Sequence, residues 1–174
     1  MFYSPLLSKR LFVVLMAVFL TACSDAGNEA NSEEATSEQS NLPVLHVYKS
    51  PTCGCCKKWI THLEDNGFQA TAHNMNDLSA LKRDKQIQPR YQSCHTAVSK
   101  DGYVFEGHIP ARVIQKFLRE KPEGVIGLSV PAMPMGSPGM EMGDHFTPYT
   151  VLLLKSDGSH SPYVEINSRK EQYQ

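Results

Sequence analysis

Residues 50–59 read Ser-Pro-Thr-Cys-Gly-Cys-Cys-Lys-Lys-Trp and put three thiols, Cys53, Cys55 and Cys56, within four positions. An apolar run, Val44 to Tyr48, comes directly before them. Behind them, Cys56, Trp59, Ile60 and Leu63 recur at the spacing of one helix face. The thiols therefore belong on a strand-to-helix turn, next to a helix N-terminus. Unpaired backbone N–H groups and the helix dipole favour negative charge there and lower thiol pKa values. Lys57 and Lys58 act in the same direction. A thiolate is the reactive species in redox exchange and the donor in soft-metal binding.

Few other classes of function remain open. The formal net charge of −1 supplies no basic surface for nucleic acid. Five cysteines in 174 residues are too few for a disulfide-stapled framework. No motif for phosphate binding, serine hydrolysis or paired-carboxylate catalysis is present.

The first 23 residues read as an export signal. Lys9 and Arg10 form its charged start, and Leu11 to Leu20 is an unbroken apolar run of ten, too short for a permanent membrane helix. Leu20-Thr21-Ala22-Cys23 resembles a bacterial lipobox, so Cys23 is the expected lipidation site. An ordinary signal peptide with a chance cysteine at its end is the alternative. Ser24, rather than aspartate, follows the pattern sent to the outer membrane. Residues 24–41 carry Asp25, Glu29, Glu33, Glu34 and Glu38 and no large apolar side chain. They are expected to stay unfolded, as an acidic tether reaching roughly 25 Å.

The folded domain is expected over 42–174. Val44–Tyr48 is the first strand, and the thiol helix stops at Asn66-Gly67. Phe68–His73 alternates as a second strand. Asp77 caps a short helix through about Lys85, with Leu78 and Leu81 inward. Thr96–Val98 and Tyr103–Phe105 pair around Asp101-Gly102. Pro110 opens a helix burying Val113, Ile114, Phe117 and Leu118, and Lys121-Pro122 closes it. This order predicts an α/β, thioredoxin-like domain with cysteines on its first strand-to-helix turn. Residues 127–146 read as an irregular Met/Pro/Gly-rich loop. Tyr149–Leu154 and Tyr163–Ile166 make an added C-terminal β-hairpin around Asp157-Gly158.

Cys53 and Cys56 form a C-x-x-C pair, which at this place in such a fold is a dithiol/disulfide couple. Cys55 between them serves no purpose in simple exchange. It makes sense as one of a soft donor set for Cu(I), Zn(II) or an iron–sulfur cluster. In this topology the segment entering Thr96–Val98 lies against the first turn, so Cys94 should approach Cys53 and Cys56 from 38 residues away. His95 either joins it or points away, because strand neighbours alternate faces. Met133, Met135, Met140 and Met142 are four of the seven methionines and share one Pro/Gly loop. Thioethers there are candidate Cu(I) donors, against the alternative of apolar filler. His108 and His145 complete the auxiliary candidates, each alone being equally at home as a structural residue. His46, His62, His73 and His160 read as ordinary.

At these residues the chain resembles the domain-of-unknown-function 411 family of bacterial metal-binding proteins, which includes CopG-type copper-resistance proteins. The matching runs are Val47 to Cys56, Ser93 to Ala97, Glu106 to Ala111, and Gly127 to Met140. Ser129 and Ala132 depart from the family pattern, at positions that carry no donor. The resemblance implies a thioredoxin-like fold, a periplasmic location and copper held by Cys53, Cys55, Cys56 and Cys94. A redox role toward copper has been proposed for that family, and the expected partners are periplasmic copper-handling proteins; membrane contact is expected only through the lipid anchor read at Cys23. A thiol–disulfide oxidoreductase and a zinc-binding module are the competing expectations.

Overall fold

The computed structural model describes residues 42–174. The stretches expected to form an export signal, a lipidation site at Cys23 and an acidic tether lie outside the described residues. Seven strands form one mixed sheet in the order β2-β1-β3-β4-β5-β6-β7. They are β1 (Val44–Lys49), β2 (Gln69–Asn74), β3 (His95–Ser99), β4 (Val104–Glu106), β5 (Val125–Ser129), β6 (Tyr149–Lys155) and β7 (His160–Ile166). Helices α1 (Gly54–Asp65), α2 (Ser79–Asp84) and α3 (Ala111–Glu120) connect the first five strands, with 3-10 turns at Pro89–Tyr91 and Arg169–Gln172. β1/β2 and β4/β5 are parallel, and the other neighbours are antiparallel. Among the described residues no helix is long and apolar enough to cross a membrane.

The main core follows from strand register. Val47, Ala97, Phe105, Leu128 and Leu153 are cross-strand neighbours in one row and share one face. Trp59 and Leu63 of α1 and Val113, Ile114 and Phe117 of α3 pack in the same cluster as this row. α1 buries Cys56, Trp59 and Leu63, the spacing visible in the sequence. It ends at Asn66, and Gly67 takes φ +80°. α3 ends at Lys121, itself left-handed at φ 40°. A smaller cluster, Ile87, Tyr91, Val104 and Leu154, forms separately from the main core.

Three features differ from the sequence reading. Residues 125–129 are a central strand, not the edge of an irregular loop. Gly127 hides it by breaking the apolar pattern, and only glycine fits, because a Cβ would run into the Val104 carbonyl. The second helix starts two residues after Asp77, whose Oδ1 accepts the Ser79 N–H at 2.8 Å. Its buried residue is Lys82, while Leu78 and Leu81 are only half-buried. A charge on α2 thus takes the inward position that the apolar pattern assigned to leucines.

Candidate metal centre

The β1–α1 turn is built by short local bonds. The Ser50 carbonyl accepts the Cys53 N–H at 3.2 Å and the Lys49 ammonium at 3.0 Å. Cys53 is the N-cap of α1, and its sulfur accepts the Cys56 N–H at 3.3 Å. Cys53 and Cys56 are joined as a disulfide with Cα atoms 5.4 Å apart, and Cys55 and Cys94 are free. The Cys55 sulfur lies 3.5 Å from that of Cys53, and the Cys94 sulfur 3.6 Å from that of Cys56. All four sulfurs fall within 4.8 Å of one another.

Cys94 reaches this point because β3 pairs with β1, with His95 opposite Lys49. A buried polar network then fixes the backbone around it. Glu106, fully buried in β4, accepts the Ser93 N–H at 2.6 Å through Oε1 and the Thr96 hydroxyl at 2.6 Å through Oε2. Lys82, 5 % exposed, pairs with the same carboxylate and donates to the Ser93 carbonyl at 3.0 Å. The residues on both sides of Cys94-His95 are therefore clamped. Gly107 closes the corner at φ +81°, where a Cβ would stand 2.8 Å from the Ser93 hydroxyl. Sequence reading missed Lys82 and Glu106, since lone charges are normally read as solvated.

Two histidines flank Cys94. His108 Nδ1 donates to the Pro138 carbonyl at 2.7 Å, which leaves Nε2 as a lone pair 3.2 Å from the Cys94 sulfur. His95 Nδ1 lies 3.2 Å from the same sulfur. Strand alternation does not separate the two neighbours, because Cys94 precedes the first residue of β3. The His95 ring packs 4.3 Å from that of Trp59, and its buried Nε2 has no hydrogen-bond partner among the described residues. Burial lowers the His108 pKa, and it holds that of His95 well below its usual value, aided by His108 and Lys82. Both rings are thus neutral near pH 7 and keep a lone pair. The Cys94 thiol is pushed up to about 12, chiefly by burial and then by Cys55. The lowered pKa expected from the helix N-terminus does not extend to this thiol. A metal that binds it must displace its proton.

The Met/Pro/Gly loop covers the site from one side. Gly136, Ser137, Pro138 and Gly139 are buried. Gly139, at φ +85°, sits so close to α1 that a Cβ would come 2.8 Å from both the Cys55 carbonyl and the Trp59 nitrogen. Met140 follows it and is half-buried, whereas Met133, Met135 and Met142 are 39, 41 and 60 % exposed. His145 is exposed too, tied to Met142 through its backbone. The structure brings His95 and His108 to Cys94 and leaves His145 at the surface.

Four sulfurs with neutral imidazoles at their edge are a soft donor set. They fit monovalent copper or zinc once the disulfide is reduced, and they fit dithiol exchange as they stand.

A family model described as a protein of unknown function, DUF411, matches residues 91–140. No curated protein matches the sequence. Two solved structures match, named Copper resistance protein copG, form 1 and form 2. They are 43 and 44 % identical, each with a TM-score of 0.68 over 72 % of this chain and 98 and 99 % of theirs.

Proposed function

This chain belongs to the DUF411 family, with the CopG-type copper resistance proteins, and we propose that it holds Cu(I) on the thiolates of Cys53, Cys55, Cys56 and Cys94. The observation that carries this reading is the convergence of four sulfurs within 4.8 Å, one of them from a distant strand. Cysteine sulfurs can bridge ions, so a site this compact suits more than one copper. His108 Nε2 is the best-placed auxiliary donor, and Met140 is the loop thioether nearest in sequence to the buried Gly139. Four thiolates alone would also suit zinc; the methionine-rich cover favours copper, because thioethers are donors to the softer Cu(I).

The embedded disulfide supports a redox step toward copper as substrate. Cys53 and Cys56 as thiols release two electrons and two protons when they become the disulfide, and two Cu(II) ions become two Cu(I). The strand order β2-β1-β3-β4, with α1 between β1 and β2 and α3 after β4, supports a thioredoxin-like core extended by β5 and a closing β6–β7 hairpin. The apolar run before Cys23 supports export and lipid anchoring on the periplasmic side of the outer membrane, where copper is buffered or passed to other copper-handling proteins. The test is the metal content of protein purified without oxygen. Wild type is expected to carry copper above one ion per chain, and Cys55→Ser and Cys94→Ser to carry less. Zinc in place of copper, or copper unchanged in both variants, overturns the reading.

The alternative is a thiol–disulfide oxidoreductase. It is favoured by one observation, a C-x-x-C disulfide at the N-terminus of α1. It predicts turnover in an insulin-reduction assay that survives Cys55→Ser.

A further inference from the structure

A second group of metal-type donors lies on the opposite face of the sheet. His46 alternates with the buried Leu45 and Val47, so it faces away from the main core. In the parallel β1/β2 pair, His46 is opposite Thr71 and Tyr48 is opposite His73. His46 and His73 therefore stand diagonally on one face, and His46 Nδ1 lies 3.1 Å from His73 Nε2. The Tyr48 ring stacks on His73 at 4.8 Å and 20°, which limits how that imidazole can turn.

We infer that His46 and His73 form a two-imidazole site for a divalent borderline cation, Cu(II) first, separate from the sulfur centre. Two nitrogens held about 2.0–2.1 Å from one ion at an angle of about 90–110° stand roughly 2.8–3.4 Å apart. The observed 3.1 Å lies inside that window without any movement of the strands. Without metal, the same spacing accommodates one ring N–H donating to the other ring. With metal, each ring carries its proton on the remaining nitrogen and both facing lone pairs bind. Both residues are half-buried, so solvent can fill the remaining positions of the ion. Imidazole without thiolate favours Cu(II), Ni(II) and Zn(II), and Cu(II) heads the usual affinity order. The chain then offers different donor types to the two oxidation states of copper. The pair is created only by strand register, since 27 residues separate the two histidines.

The site is tested on the full chain with the Cys53–Cys56 disulfide kept oxidised and the free thiols of Cys55 and Cys94 alkylated, so that the result is independent of the thiolate reading. The probe is the Cu(II)–iminodiacetate complex, whose free positions two neighbouring imidazoles fill together, whereas a lone surface imidazole holds it more weakly. Electron paramagnetic resonance is expected to show one bound Cu(II) with two additional nitrogen ligands. Affinity should fall at least about tenfold in His46→Ala and in His73→Ala. His145→Ala, an exposed histidine elsewhere, should bind as wild type does. Circular dichroism of each variant verifies that the fold is kept. No binding by the wild-type chain, or binding that neither His46→Ala nor His73→Ala weakens, overturns the inference.

Discussion

Lys82→Met tests how the polypeptide delivers Cys94 to the other sulfurs. Lys82 and Glu106 are 5 and 0 % exposed, so their pair is effectively out of water. Removing one partner of such a pair costs about 3–5 kcal/mol, because the other charge is left buried. Here the Ser93 N–H and the Thr96 hydroxyl still donate to Glu106, which places the expected loss near the lower end, about 3 kcal/mol. That is a large part of a domain stability of roughly 5–15 kcal/mol. Burial already raises the Glu106 pKa, against the opposing pull of Lys82, Thr96 and Ser93. Without Lys82 it rises further. A raised folded-state value means that the native protein binds the proton more tightly than the unfolded chain. The deficit of Lys82→Met is therefore absent below the unfolded carboxyl pKa and grows as pH rises through the folded one. Urea unfolding of wild type, Lys82→Met, and Lys82→Met/Glu106→Leu at pH 7 and at pH 4 measures this. The double variant should regain most of the loss at pH 7. A Lys82→Met deficit under about 1 kcal/mol at pH 7, or one that does not shrink at pH 4, would refute the argument.

Three further outcomes follow from the geometry. Gly139→Ala places a Cβ against the backbone of α1 at a left-handed φ, and should cost about 1–3 kcal/mol. Hydrogen exchange should quicken across 136–140, and unchanged exchange would show that the loop is not seated on α1. His62 Nε2 accepts the Ala111 N–H at 3.0 Å, which caps a helix whose N-cap is proline. Burial lowers its pKa from 6.5, so its contribution is whole above about that pH and is lost as pH falls through the lower folded value. The urea midpoint of wild type should drop faster between pH 7.5 and 5 than that of His62→Ala; equal slopes would remove His62 as the titrating cap. Gly107→Ala meets the Ser93 side chain at a left-handed φ and should lower the melting temperature by several degrees, measured by calorimetry.

Much of the framework is legible in the sequence because it rests on local patterns. Cys56, Trp59 and Leu63 share the buried face of α1, and Gly67 and Gly102 have the positive φ that their turns require. β5 was hidden because Gly127 interrupts it for a reason that lies in another strand, the approach of Val104. Lys82 and Glu106 were hidden for a similar reason. A buried charge is permitted only by its partner, and the partner is set by tertiary contact. His46 and His73 look ordinary one at a time, and only their register makes them a pair. The methionines were prominent in composition, yet three of the four are exposed around a buried Pro-Gly segment.

X-ray absorption of the reduced, Cu(I)-loaded chain addresses the sulfur cluster most directly. A first shell dominated by sulfur is expected, with copper–copper scattering from bridged ions, and loss of that scattering in Cys94→Ser. A shell of nitrogen and oxygen, or a spectrum that Cys94→Ser leaves unchanged, would contradict it.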